Sequence, residues 1–135
     1  KTRTRVEGRF LEVTGALSAL SQIELEGYEI HMGECTRKEN AKSLVTITDK
    51  VNGVSKADGT YKDNVYGSYV HGIFDKEEVA EAVVTSIGKK KGLDVSEMTG
   101  VDFAEYKEKQ YDLLADGLRE YLDMEKIYKI LEEGI

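Results

Sequence analysis

The sequence predicts mostly antiparallel strands followed by two to three C-terminal helices, either an α+β domain or the second half of an α/β sheet. Every strand-like stretch lies before Asp75, and apolar residues recur at helical spacing only from Lys76 onward. The strand-like stretches also follow one another too closely for helical crossovers, so neighbouring strands must run antiparallel. A length of 135 residues suits a single domain, 1–135, able to bury its own core.

Arg5 to Val13 alternates loosely, with Val6, Phe10, Leu11 and Val13 as its apolar members, and reads as the first strand. Thr14 to Ser21 is a loop or a single helical turn. Gln22 to Met32 is the second strand, and its apolar register slips across Glu26-Gly27, which predicts a bulge. Beyond the slip, Tyr28, Ile30 and Met32 share one face, and Glu29, His31 and Gly33 the other. Leu44 to Thr48 is a short strand, and Asp49 to Asn64 a polar loop containing Gly53 and Gly59. Val65 to His71 alternates β-branched and aromatic residues and forms a further strand; Gly72 then lets the backbone turn. Asp75, with Glu78 three residues later, has the spacing of a capping box. Lys76 to Lys90 carries Val79, Val83 and Ile87 as an apolar helical stripe, with Gly92 near its end. Asp102 to Leu122 is a longer helix, and Asp123 caps a last one that ends at Gly134.

The formal charge of −7 argues against nucleic acid as a partner, because phosphate binding needs concentrated Lys and Arg. The one basic cluster, Lys89 to Lys91, falls at a helix end, where the macrodipole favours it. No apolar run is long enough to cross a bilayer and no signal-peptide pattern is present, so no membrane partner is expected. A single cysteine excludes an internal disulfide and fits a reducing, cytoplasmic setting. The absence of proline and of an initiator Met is what a piece of a longer polypeptide would show.

Two histidines are available for chemistry, His31 in Ile30-His31-Met32-Gly33 and His71 in Val70-His71-Gly72. An imidazole at the end of a strand is held firmly yet faces open space, which suits His71 to general-base work. With Cys35 as the only further soft ligand, a metal site is not expected. Cys35 lacks the small-residue elbow of a nucleophile and reads as an incidental thiol. No Gly-rich phosphate loop occurs, so the chain is expected to hold no cofactor of its own.

Gly27-Tyr28-Glu29-Ile30-His31-Met32-Gly33, followed by Tyr66-Gly67-Ser68-Tyr69-Val70-His71-Gly72-Ile73-Phe74-Asp75, resembles the cobyric acid synthase family. The likeness is to the C-terminal part of that family's class I-like glutamine amidotransferase domain, and it extends to Lys1-Thr2, Val6, Gly8 and Arg9 and to Gln110 through Arg119. It implies the C-terminal half of a class I amidotransferase-like fold. It also implies a parent enzyme that hydrolyses glutamine here and passes ammonia to an ATP-binding synthetase domain. There ATP and Mg2+ serve the amidation of carboxylates on a corrinoid substrate, adenosylcobyrinic acid a,c-diamide. His71 matches the family's catalytic histidine, while nothing here matches the elbow of the nucleophilic cysteine, and Cys35 is not at that position. The triad acid of typical amidotransferases would stand two residues after the histidine, where this chain has Ile73. Glu29 and His31 are candidates to orient His71 or to line the ammonia exit. Two other readings are a fragment of cobyrinic acid a,c-diamide synthase and a non-catalytic amidotransferase-like docking module. A chain lacking its upstream half is expected to expose a sheet edge and to self-associate through it.

Overall fold

The computed structural model describes residues 1–96 and 103–134. The chain divides into two compact units, Lys1–Asp102 and Phe103–Ile135. The first unit holds β1 (Thr2–Phe10), a 3-10 helix (Gly15–Leu20), β2 (Glu24–His31), β3 (Val45–Asp49) and β4 (Ser55–Asp58). It continues through β5 (Thr60–Lys62), β6 (Val65–Gly67), β7 (Val70–His71) and α1 (Glu77–Lys90). β4, β3, β1, β2 and β7 form one sheet in that order, and β5 pairs with β6 in a separate ribbon. Every pairing is antiparallel, as the short connections require.

One face of the large sheet makes the core. Val6, Phe10, Leu25, Val45, Ile47 and Val70 point to it, and Leu20 from the 3-10 helix and Val79 from α1 complete the cluster. Leu17, Ile73 and Val83 pack around its edge, so the turn after His71 is anchored by Ile73. In α1 the apolar stripe is inward at Val79 and Val83, while Ile87 is 48% exposed at the last turn. Gly92 follows the helix at φ 71°, a left-handed position that a side chain would strain.

The structure departs from the sequence expectations at five places. β1 begins at Thr2, because Thr2 through Arg9 pair continuously with His31 through Glu24. That unbroken register leaves no bulge at Glu26-Gly27; the apolar slip arises because the inward face of β2 continues through Gly27 into Glu29 and His31. The polar loop from Asp49 contains β4 and β5, whose side chains are mostly polar but whose backbones pair with β3 and β6. The strand from Val65 to His71 is two strands, broken at Ser68-Tyr69. Lys76, not Asp75, precedes α1, with no side-chain cap; the Asp75 backbone N–H instead donates to the Gly72 carbonyl at 2.9 Å.

The second unit consists of α2 (Phe103–Tyr121) and α3 (Met124–Glu133). The expected start at Asp102 lies outside the described residues. Asp123 caps α3 as expected, its Oδ1 accepting from the Lys126 N–H at 3.0 Å, and Gly134 ends it at φ 78°. Among the described residues no helix is long and apolar enough to cross a membrane.

Candidate functional site

His71 stands at the end of β7, exposed, on the last residue that β2 can pair before Gly72 turns the chain at φ 80°. Its place depends on a glycine of the facing strand, Gly27, next to its partner Tyr28. A Cβ on Gly27 would fall on the His71 carbonyl oxygen and 2.8 Å from Val70 Cγ1, so only glycine lets β7 lie against β2 here. The imidazole folds back toward β2, with Nε2 3.3 Å from the Ile30 carbonyl oxygen. A carbonyl can only accept, so Nε2 carries the proton and Nδ1 of the neutral ring keeps its lone pair.

The break before β7 has a specific cause. Asp58, at the end of β4 and 8% exposed, accepts from the Ser68 hydroxyl at 2.6 Å and from the Tyr69 N–H at 3.1 Å. Ser68 Oγ in turn accepts from the Val70 N–H at 3.0 Å. Two backbone donors that would continue a strand are thus taken by side chains, which bends the chain between the two sheets.

Glu29 and His31 sit on the core-facing side of β2, whereas the register puts His71 opposite Tyr28 on the other side. They are brought together with each other, not with His71. Glu29, only 2% exposed, accepts from His31 Nε2 at 2.6 Å and from Lys56 Nζ at 2.7 Å, so two cationic groups share one buried carboxylate. His31 Nδ1 lies 2.6 Å from the Gly33 carbonyl oxygen, and the ring stacks on Tyr69 at 4.0 Å. Both ring nitrogens therefore face acceptors, which favours the doubly protonated ring. The Gly33 carbonyl, and after it the Glu29 carboxylate, hold the His31 pKa above its usual value.

This has a direct consequence for stability. A histidine whose folded pKa is raised contributes most below its unfolded value of about 6.5, and the contribution is lost as pH climbs through the folded value. The stability difference between the wild-type chain and His31→Asn, read from denaturant midpoints, is expected to shrink as pH rises past the unfolded histidine value of about 6.5. A difference that grows with pH would contradict the imidazolium assignment.

Cys35 is exposed, and its Sγ lies 2.7 Å from the Tyr69 hydroxyl on the rim of an open cavity of about 350 Å3. Arg37, Asp58 and Ser68 also line that cavity, and His71 does not. The structure therefore does not bring Cys35 to the candidate base. Asp58 was not singled out from sequence. Its only local signal is an aspartate before Gly59, and its partners lie 10 and 11 residues further along.

Residues 1–79 match the family described as the CobB/CobQ-like glutamine amidotransferase domain. The chain belongs to this family. The match takes in β1 through β7, with His71, and stops in the first turn of α1. Among curated proteins, the chain is 49% identical over its whole length to a cobyric acid synthase of Ruminiclostridium cellulolyticum, spanning 27% of that protein. It is 40% identical over its whole length to one of Lachnoclostridium phytofermentans, and 39% identical over 98% of its length to one of Citrobacter koseri. In those two it spans 28% and 26% of the relative. The chain thus covers about a quarter of the relatives it matches. No solved structure matches it.

Proposed function

We propose that this amidotransferase chain is the C-terminal part of the glutaminase domain of a cobyric acid synthase, and that His71 is its general base. The observation that carries the reading is the likeness to cobyric acid synthases across the whole chain, at 49% identity in the first case. The geometry of His71 supports the role: it is exposed, its strand is anchored by Val70 in the core, and its free nitrogen is available. In this reading His71 takes the proton of a cysteine thiol, and the thiolate attacks the carboxamide carbon of glutamine. His71 then returns the proton to the departing nitrogen, releasing ammonia and leaving a thioester. Water activated by the same ring hydrolyses that thioester to glutamate. The ammonia is consumed in the parent's synthetase domain, where ATP and Mg2+ support amidation of peripheral carboxylates of adenosylcobyrinic acid a,c-diamide.

The nucleophile in this scheme is not Cys35, whose thiol lies against Tyr69. The 135-residue chain alone is therefore expected to release no ammonia from glutamine, because a base without its thiol cannot form the thioester. An enzymatic ammonia assay on the purified chain and on Cys35→Ala checks this. Release by the wild-type chain that disappears in Cys35→Ala would overturn the assignment.

A further inference from the structure

Among the described residues no carboxylate is hydrogen-bonded to the His71 ring, which instead approaches the Ile30 carbonyl. The position two residues later is Ile73, an apolar residue packed against the core cluster. Something else must choose which ring nitrogen is the base. In the register of β2 with β7, Tyr28 faces His71 and Glu29 faces Val70, so Ile30 stands opposite Tyr69. Ile30 gives its N–H to the Tyr69 carbonyl at 3.3 Å, as an antiparallel ladder requires. The ladder's return bond would run from the Tyr69 N–H to the Ile30 carbonyl. That N–H goes to Asp58 Oδ2 instead, and the imidazole Nε2 of His71 approaches the Ile30 oxygen.

We infer that Asp58 is a positioning residue for the glutaminase histidine: by capturing the Tyr69 N–H it opens the Ile30 carbonyl to His71 and fixes Nδ1 as the basic nitrogen. The inference rests on the proposed role of His71 and extends it. Asp58 touches neither substrate nor the reacting thiol. It acts through a backbone donor, two residues before the histidine. The Asp58 carboxylate is itself held by the Ser68 hydroxyl, and the residue is only 8% exposed. Without it, the Tyr69 N–H is free to close the ladder on Ile30, and it then competes with the imidazole for the same oxygen. The neutral ring would lose its preference for the Nε2–H form, and a ring protonated at Nδ1 presents no lone pair to the thiol from that atom. An aspartate-held backbone donor and a carbonyl would thus do together what a carboxylate does in a triad.

The test uses the full-length synthase that contains this chain, with 15N-labelled histidine. In the wild-type enzyme neutral His71 is expected to carry its proton on Nε2. In Asp58→Ala the His71 nitrogens are expected to shift toward a mixture of tautomers. The kcat for glutamine-dependent amidation should fall on the order of 100-fold, the lower end of what general acid–base catalysis contributes. KM for glutamine and ammonia-dependent amidation should hardly change. Asp58→Asn, whose amide oxygen can still accept from Tyr69 and Ser68, should recover most of the lost kcat. A wild-type His71 protonated on Nδ1, or an Asp58→Ala enzyme with wild-type kcat, overturns the inference. The wild-type spectrum needs no variant, so the question stays decidable if Asp58→Ala does not fold. His71→Ala in the same assay separates the two levels. If it leaves glutamine use intact, the role of His71 falls; if it abolishes glutamine use while Asp58→Ala does not reduce it, only the role of Asp58 falls.

Discussion

Gly27→Ala is expected to destabilise the chain by about 1–3 kcal/mol, the range for forcing an extra methyl group into filled space. The added Cβ would meet the His71 carbonyl, which is backbone and cannot swing aside, and Val70 Cγ1 at 2.8 Å. β7 is only two residues long and among the described residues pairs with β2 alone, so moving it away is the cheapest relief. That relief displaces His71 itself. A misplacement of about 1 Å at a catalytic group can cost about 100-fold in rate, so the loss of glutaminase activity in the full-length enzyme should exceed the loss of stability. Gly33→Ala is the matching control, because a Cβ there meets nothing within 4 Å. Thermal or urea unfolding of both variants, with glutamine turnover beside it, checks the contrast. Equal behaviour of the two would mean that Gly27 is not what seats β7.

The helices were legible from sequence because their signals are local. Val79 and Val83 repeat at helical spacing, and Asp123 and Gly134 mark the ends of α3 by their own side-chain chemistry. His71 was legible too, as an imidazole followed by a glycine at the end of a β-branched stretch. What surrounds it was not. Asp58 and Tyr69 meet only because β4 and the β6–β7 link end side by side, a long-range fact with no periodic trace. Glu29 in a strand reads as an outward residue, and its burial depends on Lys56 reaching it across the two intervening strands and on His31 beside it. β4 and β5 escaped for the opposite reason: Ser55-Lys56-Ala57 and Thr60-Tyr61-Lys62 have little apolar alternation. They pair through their backbones, with Asp58 and Tyr61 as their buried members.

Loss of the His71 ring is expected to lower glutamine use more than any of the substitutions above. General acid–base catalysis is worth about 10²–10⁴-fold, and in the proposed role the same ring both activates the thiol and delivers the proton to the departing nitrogen. His71→Ala in the full-length synthase should therefore lose at least about 100-fold in glutamine-dependent amidation, by the same measure. Ammonia supplied from solution enters after that step and bypasses it. The side chain is exposed and contributes nothing to the apolar cluster, so folding should be little affected. The most direct measurement is the ratio of glutamine-dependent to ammonia-dependent amidation in wild-type and His71→Ala enzyme under one set of conditions. The ratio should collapse while the ammonia-dependent rate holds; an unchanged ratio, with both rates intact or both reduced alike, would rule out His71 as the glutaminase base.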